Sequence, residues 1–185
     1  MTPKSSQNRY NSSAQTRRLY EAPPLNIVLV EPQIPPNTGN VARLCAAAAC
    51  HLVLVGPLGF QLSDASLKRA GLDYWEHVSW EYHDSLAAFL RGVSPMALHL
   101  LSARSHNPYT NIPATQGDYL LFGRETTGLD SELLKRFPDQ CYTVPMAVPD
   151  VRSINLSSAV AIVVYDALRR IRPFDAPRRG AAHSR

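Results

Sequence analysis

A chain of 185 residues, of which 45% are hydrophobic, is long enough to form one domain with a sizeable core. Its formal net charge is +4, with many arginines near the two ends, which fits a polyanionic partner and equally a solvated surface. Three cysteines without a C-x-x-C pair exclude a complete disulfide framework and do not match the spacing of a zinc site.

The first 22 residues are rich in Ser, Asn, Gln and Arg, which predicts a disordered basic tail. This segment has no hydrophobic stretch of the signal-peptide type, and no apolar run in the chain approaches the ~18 residues of a membrane span. We therefore expect a soluble, cytoplasmic protein. One folded domain is predicted over residues 23–173, followed by a flexible basic tail over residues 174–185.

After the first tail, strand-like and helix-like segments alternate along the chain. Strands are predicted at LNIVLV, HLVLVG, MALHLLS, DYLLFG and CYTVPM, and helices at TGNVARLCAAAAC, SDASLKRAG, SLAAFLRGV and DSELLKRF. Short apolar runs separated by helices predict an α/β fold, with a parallel sheet covered by helices on both faces. Cys45, Cys50 and Cys141 lie in or beside these segments and are expected to be small core residues.

The last segment, NLSSAVAIVVYDALRRI, is rich in β-branched residues and resembles a strand at first sight. It is too long for an ordinary strand, and its apolar residues recur at helical spacing. These are Leu156, Val160, Val163, Val164 and Leu168. The pattern predicts a nearly buried helix that begins near Ser153 to Asn155.

Three loops follow predicted strands, at the sheet edge where open α/β proteins place their ligands. They are EPQIPPNTGNVARLC, FGRETTGLD and VPMAVPDVRSINLSSA. The first lacks the glycine pattern of a dinucleotide site or a P-loop, and offers instead Asn37, a small turn and Arg43. Each loop alone has an ordinary structural explanation, as a helix cap or a glycine turn. Three such loops with Arg43, Glu125 and Arg152 among them indicate a functional site.

In order and spacing, these three segments closely resemble the signature motifs of the SpoU-type branch of the SPOUT RNA 2′-O-methyltransferases. The resemblance covers about residues 25 to 172. Within that family, EPQIPPNTGN and AGLDYWE are similar to the group that methylates the wobble nucleotide of tRNA, a cytidine or modified uridine at position 34.

The resemblance implies an S-adenosylmethionine-dependent enzyme whose partner is tRNA. It also implies a C-terminal deep trefoil knot, a homodimer with a composite active site, and no need for a metal or a membrane. Positions that contact the cofactor in the family correspond to Leu101, Gly123, Val144 and Ser153, with Gly128 and Leu156 as further contacts.

By the same resemblance, Arg43 matches the motif-one arginine linked to activation of the ribose hydroxyl. Because a guanidinium stays protonated in proteins, we expect Arg43 to bind the neighbouring phosphate and stabilise the developing alkoxide. Asn37 would orient the RNA or Arg43, and Glu125 would position the loops or Arg43. Asn155 would shape motif three with Ser157. A purely structural role for Glu125 and Asn155 stays open.

The chain departs from the pattern of the wobble group in motif two, which is close to F-G-P-E-T-R-G-L-P. Arg124 stands for the proline, Thr127 stands for the arginine, and motif three carries an extra residue, Ala147. Arg124 is a candidate to replace the lost positive charge from a nearby position. These changes leave two alternatives open: a knotted RNA-binding protein without catalysis, and a 2′-O-methyltransferase of another tRNA or rRNA site.

Overall fold

The computed structural model describes residues 23–61, 75–148 and 150–171. The two predicted tails and the predicted helix SDASLKRAG lie outside these residues. The described part contains a six-stranded sheet in the order β3-β2-β1-β5-β4-β6. Its strands are β1 (Asn26–Val30), β2 (His51–Val55), β3 (Ser79–His83), β4 (Leu98–Leu101), β5 (Tyr119–Phe122) and β6 (Cys141–Tyr142). Its α-helices are α1 (Pro35–Ala48), α2 (Leu86–Leu90), α3 (Ser131–Arg136) and α4 (Leu156–Ile171).

Every strand pairing in this sheet is parallel, as the sequence predicts. Alternate residues of β1 enter two separate cores: Ile27 and Leu29 face one, and Val28 and Val30 face the other. The first core is closed by α1 and α4, and the second by α2 and α3. Because both faces of the sheet are covered, the predicted α/β architecture is confirmed.

Strand β3 was not predicted. Its sequence, SWEYH, has no apolar run, and all five of its residues are half-buried. It lies at the edge of the sheet, where one side of a strand stays open to solvent and polar side chains are tolerated. The apolar runs that revealed the other five strands are therefore missing here.

Helix α1 begins earlier than predicted, at Pro35. A proline suits the first helical position because its φ is already close to helical and its missing N–H would have no partner there. Asn37, Thr38 and Gly39 consequently lie in the first turn of the helix and are buried, instead of forming a loop. The N-cap residue is Ile34, whose side chain cannot cap, so a helix-cap explanation does not hold for the first loop.

Helix α4 is confirmed as a helix, but the expectation that it is nearly buried is wrong. One face, which includes Val160, Val164 and Leu168, is fully buried against the sheet and α1. On the opposite face Ile162 and Tyr165 remain 40% and 48% exposed. The reason is that α4 belongs to an outer layer of the domain, and among the described residues it packs on one side only.

The cysteines behave as the sequence predicts, as small residues of the protein interior. Cys45 and Cys50 are fully buried, Cys141 is partly buried, and all three are free thiols. Burial raises the pKa of the Cys50 thiol to about 12, and it raises the pKa of Cys45 well above its ordinary value. Both thiols are therefore protonated at neutral pH and are not nucleophiles.

Candidate active site

The three loops singled out in the sequence meet at the carboxyl edge of the sheet. Parallel strands all end at the same edge, and β1, β5, β4 and β6 are consecutive neighbours. The loops that leave β1, β5 and β6 are therefore brought together although they are far apart in the chain.

A cavity of about 400 Å³ opens at this edge. It is lined by the ends of β4 and β5, the loops after β5 and β6, and the first turn of α4. All six residues predicted to contact the cofactor line it: Leu101, Gly123, Gly128, Val144, Ser153 and Leu156. The structure thus brings them into one cavity, and their contact with a cofactor stays a prediction.

Two glycines shape one wall of this cavity for different reasons. Gly128 has a φ of +71°, a conformation that residues with a side chain adopt only with strain. Gly123 lies so close to the next turn that a Cβ atom there would be 2.1 Å from the carbonyl carbon of Gly128. The motif-two loop therefore folds back tightly on itself, with the N–H of Gly128 donating to the carbonyl of Arg124 at 2.9 Å.

Glu125 connects motif two to motif one. Its carboxylate accepts hydrogen bonds from the backbone N–H groups of Gln33 and Ile34, at 2.9 and 3.1 Å, and from Nδ2 of Asn37 at 3.0 Å. Helix α1 has no acidic residue in its own first turn, and its N-cap side chain makes no hydrogen bond. Glu125 therefore supplies the negative charge and the acceptor atoms that the start of a helix requires.

Asn155 connects motif three to the same point. Its Nδ2 donates to Oδ1 of Asn37 at 2.9 Å. Its Oδ1 accepts from the backbone N–H and the hydroxyl of Ser157, at 2.9 and 2.7 Å, and so caps the start of α4. The buried amide of Asn37 is held between Glu125 and Asn155, and all three motifs are joined by one chain of hydrogen bonds.

Arg43 lies apart from this network. It is on the exposed face of α1, six residues beyond Asn37, and helical positions six apart face different sides. It does not line the cavity of its own chain, and neither do Asn37 and Asn155, whereas Glu125 does. The predicted catalytic residues are therefore divided between the cavity wall, the bonds that support it and an exposed helix face.

Among the residues that the structure describes, three arginines line the cavity: Arg104, Arg124 and Arg152. Arg124 forms an ion pair with Glu31 at the end of β1. Arg104, which was not identified from the sequence, donates to the carbonyl of Thr127 at 3.5 Å. Its position directly after the predicted strand MALHLLS was a signal for this sheet edge, but no motif marks it.

Within the described ranges, no group of three or more His, Cys, Asp or Glu could hold a metal ion. No helix in the same ranges is long and apolar enough to cross a membrane.

These features define an α/β protein with a ligand cavity built by three connected loops at the carboxyl edge of its sheet. Residues 24–165 match the SpoU rRNA Methylase family, so the chain belongs to that family. It is 46% identical over 148 residues to the tRNA (cytidine(34)-2′-O)-methyltransferase of Escherichia coli, which covers 80% of this chain and 94% of the relative. The enzyme of the same name from Burkholderia cenocepacia is 47% identical over 148 residues, covering 78% of this chain and 94% of that enzyme.

Solved structures of RNA methyltransferases are also similar to this chain. One that concerns the 2-OH methylation of C/U34 on tRNA is 47% identical, with a TM-score of 0.74, and covers 80% of this chain and 96% of the other. The SpoU methyltransferase AviRb of Streptomyces viridochromogenes, in complex with AdoMet, has a TM-score of 0.67 at 21% identity, covering 83% of this chain and 60% of AviRb. The second similarity concerns the fold alone. The predicted membership of the SpoU-type family is confirmed.

Proposed function

We propose that the protein is an S-adenosylmethionine-dependent tRNA 2′-O-methyltransferase that methylates the ribose of nucleotide 34, a cytidine or modified uridine. The relatives that carry this activity in their names are aligned over more than nine-tenths of their length. The observation that carries the proposal is that the three family motifs, distant in sequence, enclose one cavity and are joined through Asn37.

The cavity suits the cofactor in size and chemistry. Its volume of about 400 Å³ lies within the range of small-molecule sites. Leu101, Val144 and Leu156 offer apolar contacts for an adenine ring, and Gly123 and Gly128 let the backbone approach an adenosine closely. When bound, S-adenosylmethionine supplies an electrophilic methyl group on a sulfonium, and this transfer requires no metal.

The protein contributes orientation and charge. The motif-three loop and the tight motif-two turn hold the cofactor in place. The 2′-oxygen of the RNA can then approach the methyl group in line. We assign to Arg43 the binding of a phosphate beside the target ribose and the stabilisation of negative charge on its 2′-oxygen. Glu125, Asn37 and Asn155 act by positioning α1, which carries Arg43, against the cavity loops.

We propose further that two chains form a homodimer in which Arg43 of one copy reaches the cavity of the other. Arg43 lies on the exposed face of α1 and does not line its own cavity. The neighbouring helix α4 exposes Ile162 and Tyr165, which a second copy would cover. Both features are explained if the α1 and α4 faces form the interface.

A C-terminal trefoil knot is part of the same proposal. The chain leaves the sheet at its edge strand β6, yet α4 packs against α1 and β5, nearer the middle of the sheet. Residues 143–148 and 150–155 lie on this return beside the loop at 123–130, and both segments contribute residues to the cavity wall. We infer that the return passes through that loop. Because its substrate is tRNA, we place the enzyme in the cytoplasm.

A methyltransferase of another RNA site is the second candidate, favoured by Arg124 and Thr127 in motif two. Purified protein, tRNA and methyl-tritiated cofactor would distinguish the two, with the labelled nucleotide identified by ribose-methylation mapping. We expect the label on the 2′-oxygen of nucleotide 34. Label at another ribose would establish the second candidate, and tight tRNA binding without cofactor binding would establish a non-catalytic RNA-binding protein.

A further inference from the structure

A second cavity, of about 320 Å³, adjoins the cofactor cavity. It lies between the end of β1, the loops after β4 and β5, and the starts of α2 and α3. The two cavities share one wall, formed by Arg104, Arg124, Thr127 and Gly128. Any group bound at this wall is therefore next to whatever occupies the cofactor cavity.

Two guanidinium groups from different loops converge on the shared wall. Within the described residues, Arg104 donates through Nη2 to the carbonyl of Thr127, and Arg124 donates through Nη2 to Glu31. A guanidinium has five N–H donors, so each contact orients the side chain and leaves most of its donors for a ligand. Both arginines are exposed, which lets a macromolecule reach them.

The carboxylates near this wall are engaged with protein donors. Glu31 pairs with Arg124, and Asp130 accepts from the backbone N–H of Glu132 at 2.7 Å and so caps α3. In the cofactor cavity, Glu125 accepts three hydrogen bonds from the motif-one segment. The groups at the wall that still offer N–H donors are therefore the two guanidinium groups, and a ligand there should present acceptor oxygens, as a phosphate does.

The proposed reaction requires a phosphate close to this place. In RNA the carbon that carries the 2′-hydroxyl is bonded to the carbon that carries the 3′-phosphate, so a 2′-oxygen cannot approach the cofactor without backbone phosphates beside it. The amino-acid end of S-adenosylmethionine suits the wall less well, because its carboxylate is accompanied by an ammonium group that two arginines would repel.

We propose that Arg104 and Arg124 form a binding site for a backbone phosphate of the RNA strand that carries the target nucleotide. This inference rests on the proposed function. Positions 124 and 127 both lie on the shared wall. An arginine at position 124 thus gives this wall guanidinium donors, which Thr127 lacks.

The test compares Arg104→Gln, Arg124→Gln and the double variant with the wild-type protein. Arg91→Gln is the matched control, because Arg91 is an exposed arginine that lines neither cavity. Affinity for tRNA is measured between about 50 and 200 mM salt, and affinity for S-adenosylmethionine by calorimetry. The double variant should bind tRNA about tenfold more weakly at low salt, and should lose ~0.7–0.9 from the slope of log affinity against log salt. Its affinity for the cofactor should fall much less than its affinity for tRNA, because most of the cofactor cavity is lined by other residues.

Glu31→Gln should have the opposite effect on tRNA. It removes the charge that neutralises Arg124, so tRNA binding should become about two- to fivefold tighter, and Arg124→Gln should abolish this gain. Circular dichroism of each variant checks that the fold is intact.

Unchanged affinity and salt slope in the double variant would overturn the proposal, as would an equal loss in Arg91→Gln. Weaker cofactor binding with normal tRNA binding would assign the wall to the cofactor carboxylate and also overturn it. The proposed function is tested separately by methyl transfer in the wild-type protein: transfer without any effect of the variants rejects only the phosphate site. If the variants lose tRNA binding and the wild-type protein transfers no methyl group, only the proposed methyltransferase activity is rejected.

Discussion

The side-chain amides of Asn37 and Asn155 meet at 2.9 Å although 118 residues separate them in the chain. The other end of the Asn37 amide donates to Glu125 at 3.0 Å, so its oxygen and its nitrogen have different partners. Asn37 is only 5% exposed, which makes both bonds costly to lose. This residue therefore joins the three motifs and determines how α1 meets the cavity loops.

Replacement of Asn37 by Asp should be more damaging than its nearly identical shape suggests. The new carboxylate cannot donate to Glu125 and places a second negative charge about 3 Å from it. We expect a loss of ~2–3 kcal/mol in the free energy of unfolding at pH 7, smaller at pH 4, where a proton can be shared. Urea unfolding at the two pH values measures it. Equal losses at both would contradict the charge explanation, and Asn40→Asp on the exposed face of α1 is the control.

Glu125→Gln tests whether this residue positions α1 or simply fills space. A glutamine keeps the size but turns one acceptor oxygen into a donor, which then faces an N–H of Gln33, Ile34 or Asn37. We expect ~1–3 kcal/mol of destabilisation and slower methyl transfer. Near-normal affinity for S-adenosylmethionine should remain. Glu132→Gln, in an exposed pair with Lys135, should change neither stability nor transfer measurably.

Arg43→Ala separates catalysis from folding. Because Arg43 is exposed on α1, its loss should cost no more than ~0.5 kcal/mol of stability. If it stabilises charge on the ribose oxygen, single-turnover methyl transfer should fall by about 100-fold or more, with cofactor binding intact. Arg43→Lys should rescue poorly, since an ammonium lacks the planar fork of the guanidinium. Transfer at nearly the wild-type rate in Arg43→Ala would reject the assignment.

If the protein is a homodimer with a shared active site, a charge placed on the exposed face of α4 should abolish activity by preventing dimerisation. Ile162→Glu should convert the protein from a dimer to a monomer in light scattering, and should abolish methyl transfer while the circular dichroism spectrum is retained. Met96→Glu is the control, since Met96 is 82% exposed and belongs to the segment before β4, outside α1 and α4. Mixing Ile162→Glu with wild-type protein tests whether a mixed dimer recovers transfer. A fully active wild-type monomer at micromolar concentration would refute the shared site.

The raised thiol pKa values predict that the cysteines react unequally. Cys45 and Cys50 are neutral and fully buried at pH 8, so neither should react with a thiol reagent in the folded protein. Cys141, partly buried and with a pKa raised by burial, should react slowly. Mass spectrometry after brief labelling counts the modified residues, and all three should react in urea. Rapid native labelling of Cys50 would show that α1 opens.

The sequence by itself determined the strands and helices whose burial produces a local pattern of apolar residues. Five strands appear as apolar runs, because strands of a covered parallel sheet are buried on both faces. Helix α4 appears through its 3.6-residue period despite its β-branched composition. The family motifs further predicted which six residues share the cavity, since a resemblance carries positional information that propensity lacks.

Only the tertiary structure decided how these parts act on one another. Nothing local to Glu125 indicates that it caps a helix about 90 residues earlier, because that bond depends on the path of the chain across the sheet edge. The exposure of Arg43 and the shared wall at Arg104 and Arg124 also depend on the path of the chain across the sheet edge. The apolar period and the propensity of a segment indicate how that segment is buried. A functional site depends on the distances between side chains of different segments, and the sheet fixes these distances when it brings the loops together.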